Sequence, residues 1–185
     1  RRFGKTLNLS MLRYFFEDTG NPEENAHNAA LFQGLKIMEA GASYTEQMGK
    51  YPVINLTLKS AKQNTFESAY YKLKEEIGEE FKRHRYLLDS CALTEAEKQL
   101  FQGIADGNAS YDVYSGSLKF LSKCLYKATG EKTVILLDEY DVPLENAYFA
   151  GFYEKMVSFI RSLFEAALKT NDCLQFAVIT GCLRI

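Results

Sequence analysis

Thr133–Glu139 reads TVILLDE: β-branched and aliphatic side chains from Thr133 to Leu137, then two adjacent acids. An apolar run of this length without alternation is the pattern of a strand covered on both faces, as in a parallel sheet layered between helices. The acids Asp138 and Glu139 fall where the strand runs out. In open α/β sheets that end of the strand is where ligands collect. Two solvated acids closing a strand would look the same, so the reading depends on what the rest of the chain supplies.

Working outward, Tyr51–Leu58 (YPVINLTL) reads as a strand entered through Pro52, and Leu174–Thr180 (LQFAVIT) as a further one. Helical spacing of Leu9, Leu12, Phe15 and Phe16 predicts an amphipathic helix over Lys5–Glu17, broken by Gly20–Asn21–Pro22 and followed by a short helix through Ala26–Leu31. Asn64 is the expected N-cap of a long helix reaching about Tyr86, and Thr94–Glu97 forms a capping box. Leu118, Leu121 and Leu125 mark a helix closed by Gly130, and Phe152–Ala167 carries a broad apolar stripe. Strands separated by helices predict an α/β fold, a parallel sheet flanked by helices. The connection from Leu58 to Thr133 exceeds one crossover, so a helical insertion is expected over about 62–130.

The N-terminal residues supply the second chemical element. Gly4–Lys5–Thr6 enters a helix, and phosphate binding at a helix start needs these residue types. Glycine lets the backbone approach phosphate oxygens, lysine reaches the β- and γ-phosphates, and the hydroxyl serves magnesium. The triplet alone is weak, arising by chance in roughly one chain in ten of this size. Followed by a buried strand ending in Asp138–Glu139, it falls in the order a P-loop ATPase requires. There the first acid holds Mg2+ through water and the second polarises the attacking water. Thr180, ending its strand, is a candidate γ-phosphate sensor, with capping of the strand end as the plain alternative. Arg184 is a candidate for stabilising phosphoryl charge, against an ordinary surface role.

RRFGKTLNLSMLRYFF (1–16), LFQGLKI (31–37), KYPVINLTLKS (50–60), VILLDEYDVPLENAY (134–148) and FAVITGCLRI (176–185) together resemble the bacterial and archaeal AAA-ATPase-like domain, a family of P-loop NTPases. The resemblance covers nearly all of residues 1–185. It implies that Gly4, Lys5 and Thr6, with Arg2 and Phe3 of the same loop, hold ATP, and that Thr6 and Asp138 serve Mg2+. It further implies that Glu139 is the catalytic acid of the pair and that Thr180 stands at the sensor position. Many relatives carry a C-terminal nuclease-like domain of the PD-(D/E)XK type, so nucleic acid is a possible partner only through a domain outside this chain. Arg1, Arg2 and Phe3 replace the small residues of an ordinary phosphate loop, which points to slow or lost hydrolysis. With the first strand and upstream glycine absent, the chain reads as a piece cut from a longer protein. The leading expectation is ATP binding with Mg2+-dependent hydrolysis coupled to a conformational change. The alternatives are a nucleotide-sensing switch with little turnover, or the ATPase part of a nucleic-acid-processing protein. In the DEYDVP stretch, Asp141 is a candidate for orienting the loop or a water, and Tyr140 and Pro143 carry no assigned role.

Composition sets the background. Hydrophobic residues make up 46% and charged residues 25% of the 185, with a net charge of -2, giving no basic surface for nucleic acid or an anionic membrane. No apolar run spans a bilayer. Cys91, Cys124, Cys173 and Cys182 form no CxxC pair, so buried reduced thiols and a cytoplasmic location are expected rather than a zinc site. Lys82–Arg85 is basic, but Glu75, Glu76, Glu79 and Glu80 precede it, and Glu79–Arg83 spacing favours a solvated, paired helix face. Tyr70, Tyr71 and Phe81 are expected to pack the insertion rather than stack bases. Oligomeric state is not legible.

Overall fold

The computed structural model describes residues 4–182. Three strands, β1 (Val53–Thr57), β2 (Thr133–Asp138) and β3 (Leu174–Ile179), form one parallel sheet in the order β1-β2-β3. Thr57 pairs with Asp138, and Leu137 with Ile179, so all three strands end on the same side of the sheet. Every residue of β2 is buried, as its unbroken apolar run requires.

Alternate β2 side chains serve two cores. Val134 and Leu136 join Val53, Tyr51 and Leu9 beneath helix α1 (Lys5–Phe16). Ile135 and Leu137 join Ile54 and Leu56 in the larger core on the opposite face. Burying each such side chain contributes about 1.5–3 kcal/mol, so β2 is fixed in register from both sides. The result is the expected parallel sheet flanked by helices.

Local signals set most helix ends. Asn21 caps α2 (Pro22–Ala30), with Pro22 in the first turn, where its missing N–H costs nothing. The short α3 (Ala42–Thr45) follows. Helix α4 (Phe66–Arg83) starts one residue later than expected, because Thr65 rather than Asn64 accepts the Ser68 N–H. The Thr94–Glu97 capping box opens α5 (Glu95–Ala105). A Cβ on Gly78 of α4 would stand 3.1 Å from the Ala105 carbonyl oxygen, so glycine permits the close α4–α5 approach. Helix α6 (Tyr111–Ser115) precedes α7 (Ser117–Thr129), which ends at left-handed Gly130. After β2 come α8 (Val142–Ala150), which had no counterpart in the sequence reading, with Pro143 in its first turn and left-handed Gly151 at its end, and the expected helix, α9 (Tyr153–Phe164). A π-helical turn at Glu165–Lys169 carries the α9 stripe on to buried Ala167.

Three side-chain expectations change. Arg83 and His84 are not a solvated face. His84 is 2% exposed, and Arg83 pairs with Glu17 and with Glu80, while Glu79 pairs with Lys82. Glu17 comes from the chain just beyond α1, a tertiary partner that spacing along α4 cannot reveal. Tyr71 is 54% exposed, whereas Tyr70 packs against the core and Phe81 is fully buried within it. All four cysteines are free thiols, but Cys91 and Cys182 are exposed; only Cys124 is buried, and burial pushes its thiol up to about 12.

Candidate functional site

The parallel sheet brings the ends of β2 and β3 side by side, and α1 begins against them. Asp138, 6% exposed, gathers three donors. Thr6 Oγ1 donates to its Oδ2 at 2.7 Å, Thr180 Oγ1 donates to its Oδ1, and the Glu139 backbone N–H donates to Oδ1 at 3.0 Å. Residues 6, 138 and 180 therefore meet around one carboxylate.

Helix α1 presents its positive end to this cluster. The first helical bond runs from Asn8 N–H to Gly4 O, at 2.8 Å, so the N–H groups of residues 5–7 have no acceptor within the helix. Gly4 takes the left-handed conformation at φ 69°, no side chain caps the helix, and no acid lies in its first turn. An uncapped start free of acids favours an anion.

Lys5 reaches across to the segment after β3. Its Nζ donates to Gly181 O at 2.8 Å and to Cys182 Sγ at 2.9 Å. The hydrogen bond to Cys182 raises the Lys5 pKa; slight desolvation opposes the shift, and the charges of Asp141 and Asp138 add to it. The ammonium thus stands close to the carboxylates that end β2.

Glu139 follows with φ 54°, the one non-glycine residue at positive φ among the described residues. A left-handed side-chain-bearing residue costs about 1–2 kcal/mol, and strain of this kind concentrates at functional positions. Behind it, Asp141 is 2% exposed and accepts the Cys182 N–H at 2.5 Å. It occupies the N-cap position of α8, but its side chain makes no capping bond to that helix.

Of the residues singled out from sequence, Gly4, Lys5, Thr6, Asp138, Glu139 and Thr180 converge here. Arg2, Phe3 and Arg184 lie outside the described residues. Gly181 and Cys182 were not singled out from sequence, and Asp141 was expected to orient the loop or a water. The available signal was a glycine directly after a strand-ending threonine, facing an acid three residues past Asp138.

A glycine-lysine-threonine helix start set against an aspartate that ends a buried parallel strand defines a P-loop-type α/β fold. The family model described as "Predicted AAA-ATPase" matches residues 1–185. The chain belongs to this AAA-ATPase-like family. Searches of curated proteins and of solved structures returned no match. Among the described residues, no helix is long and apolar enough to cross a membrane.

Proposed function

We propose that the site binds ATP with Mg2+ and hydrolyses it, and that turnover drives a conformational change in the intact protein. The observation carrying this reading is the 2.7 Å hydrogen bond between Thr6 and Asp138, residues 132 positions apart in sequence. It joins the hydroxyl of the helix start to the carboxylate at the strand end, the two groups a magnesium nucleotide needs together.

The donor set suits the ion. One carboxylate and neighbouring hydroxyls are hard oxygen ligands, and magnesium keeps several waters while bound through one or two carboxylates and the substrate phosphates. Thr6 and Asp138 would hold the ion, which neutralises phosphate charge when bound. The α1 N–H groups take phosphate oxygens, Lys5 offsets their charge, and Glu139 orients the attacking water. Thr180, whose hydroxyl donates to Asp138, would sense what binds there.

Phosphate release and nucleotide affinity, measured on the intact protein, test the proposal. Sustained Mg2+-dependent release that Asp138→Asn abolishes is the expected result. Tight binding without turnover would make the domain a nucleotide switch instead, the reading favoured by the bulky 1–3 segment in the phosphate loop. Absence of any binding would overturn both.

A further inference from the structure

Lys5 is held by backbone and thiol of a segment that is itself anchored from beneath. Asp141 Oδ2 accepts the Cys182 N–H at 2.5 Å, and the carbonyl of Gly181, one residue earlier, accepts the Lys5 ammonium at 2.8 Å. The chain of contacts runs from α8's N-terminal residue, through two residues beyond β3, to the phosphate-loop lysine. Gly181 fits because it has no side chain. A Cβ there would lie 2.5 Å from Tyr140 Cε1, 2.8 Å from Tyr140 Cδ1 and 2.9 Å from Asp141 Oδ1. A side chain there would therefore force the Tyr140 ring, which packs towards Phe164, or the buried Asp141 carboxylate to shift.

We propose that Asp141 is a positioning residue for Lys5, acting through Gly181 and Cys182, with Gly181 as the obligatory small member of the relay. Resting on the nucleotide reading above, this gives the acid of the DEYD stretch a task distinct from those of Asp138 and Glu139. Asp141 fixes the β3 exit so that the Gly181 carbonyl holds the ammonium beside the strand ends before a nucleotide arrives. A lysine left free must lose its rotamer freedom on binding, a cost worth about tenfold or more in affinity.

Lysine reactivity in the intact, nucleotide-free protein tests the relay without requiring ATP binding. Trace acetylation with acetic anhydride, read by mass spectrometry, compares Lys5 with exposed Lys36 and Lys59 as internal controls. Asp141→Ala and Gly181→Ala should each raise Lys5 labelling about tenfold, the scale of losing a hydrogen bond to a charged group, and leave both controls unchanged. Asp141→Asn keeps the acceptor oxygen but loses the charge that also raises the Lys5 pKa, so its Lys5 labelling should rise less than that of Asp141→Ala. Unchanged Lys5 labelling in both disruptive variants overturns the relay, as does a parallel rise at Lys36 and Lys59, which would mark general loosening. ATP affinity then supplies the second arm: Asp141→Ala should weaken binding about tenfold in the wild-type background and add nothing to Lys5→Ala. Additive losses overturn the relay and leave the nucleotide site standing. The labelling pattern without any ATP binding overturns the nucleotide reading and leaves the relay standing.

Discussion

The two outer strands of the sheet are finished in opposite ways. The outer edge of β1 is closed by side chains: Glu80 accepts the Asn55 N–H at 2.8 Å, and Arg83 donates to the Val53 carbonyl. Arg83 also bridges to Glu17, which Arg13 of α1 pairs with from the other side, so the beginning of the sheet, α1 and α4 are stitched through one buried charge cluster. The outer edge of β3 has no strand partner among the described residues, its side chains are only partly covered, and Ile179 is 40% exposed. Yet β3 leads into Thr180, Gly181 and Cys182, the chemical side of the molecule. The β1 edge is locked by ion pairs, whereas the β3 exit opens onto the proposed nucleotide site at the end of β2.

Breaking the β1 edge should cost most. Removing one member of a buried charge cluster strands the others, a loss of about 3–5 kcal/mol. Arg83→Ala and Glu80→Ala should each lower unfolding stability by that order in urea denaturation. Where either variant remains folded, its ATP affinity should match wild type, because no member of the cluster contacts the phosphate site. The charges of the pair are held despite burial: desolvation opposes both, but hydrogen bonds from His84 and Arg83 still depress the Glu80 carboxyl, and those that Arg83 donates to Glu80 and Glu17 still raise its guanidinium pKa.

At the proposed site, Glu139→Gln keeps shape and removes the charge that polarises water. Turnover should fall by about 100-fold or more with nucleotide affinity retained. Glu139→Gly should also lose turnover, yet raise unfolding stability by up to about 1 kcal/mol, since glycine adopts the positive φ without strain. A Glu139→Gly protein that is both active and no more stable would remove strain from the account.

Much of this division was legible in the sequence, and the exceptions share a cause. The β2 run, the α1 stripe, the capping box at Thr94 and the stop at Gly130 are local signals, and each appears where local chemistry places it. The convergence of residues 5, 6, 138, 139 and 180 follows from parallel topology once the strands are found. Arg83 was misread because its deciding partner, Glu17, lies 66 residues away, while Glu79 sat at the spacing that a helix face rewards. The relay through Asp141 and Gly181 was missed for the same reason. It is a contact between two loop segments, and neither carries a periodic pattern. Helix α8 escaped the sequence reading because its side chains show no clear apolar face, although Pro143 and Gly151 mark its ends.

A matched pair of truncations sharpens the comparison between strands. Val134→Ala in fully buried β2 should cost about 2–3 kcal/mol, whereas Val178→Ala in partly covered β3 should cost about 1 kcal/mol. Equal losses would mean that β3 is as tightly packed as the centre of the sheet.

The smallest effect concerns the α5 cap. The Lys127 hydrogen bond, then that of the Thr94 backbone, lowers the Glu97 pKa to about 2. A depressed carboxylate contributes stability that is present above its unfolded pKa, about 4.3, and is lost as pH falls towards 2. Screening at the surface keeps the contribution below about 1 kcal/mol. Wild type should therefore lose slightly more stability than Glu97→Gln between pH 4.5 and about 2. Identical acid titrations would contradict the assignment.

One junction carries the proposed site: the start of α1 against the end of β2. Calorimetric titration of the intact protein with ATP and Mg2+ addresses it most directly, comparing wild type with Lys5→Ala and Thr6→Val. Wild type should bind, both variants should bind at least about tenfold more weakly, and omission of Mg2+ should weaken wild type more than Thr6→Val. If both variants bind ATP as tightly as wild type, the nucleotide is not held at the α1–β2 junction.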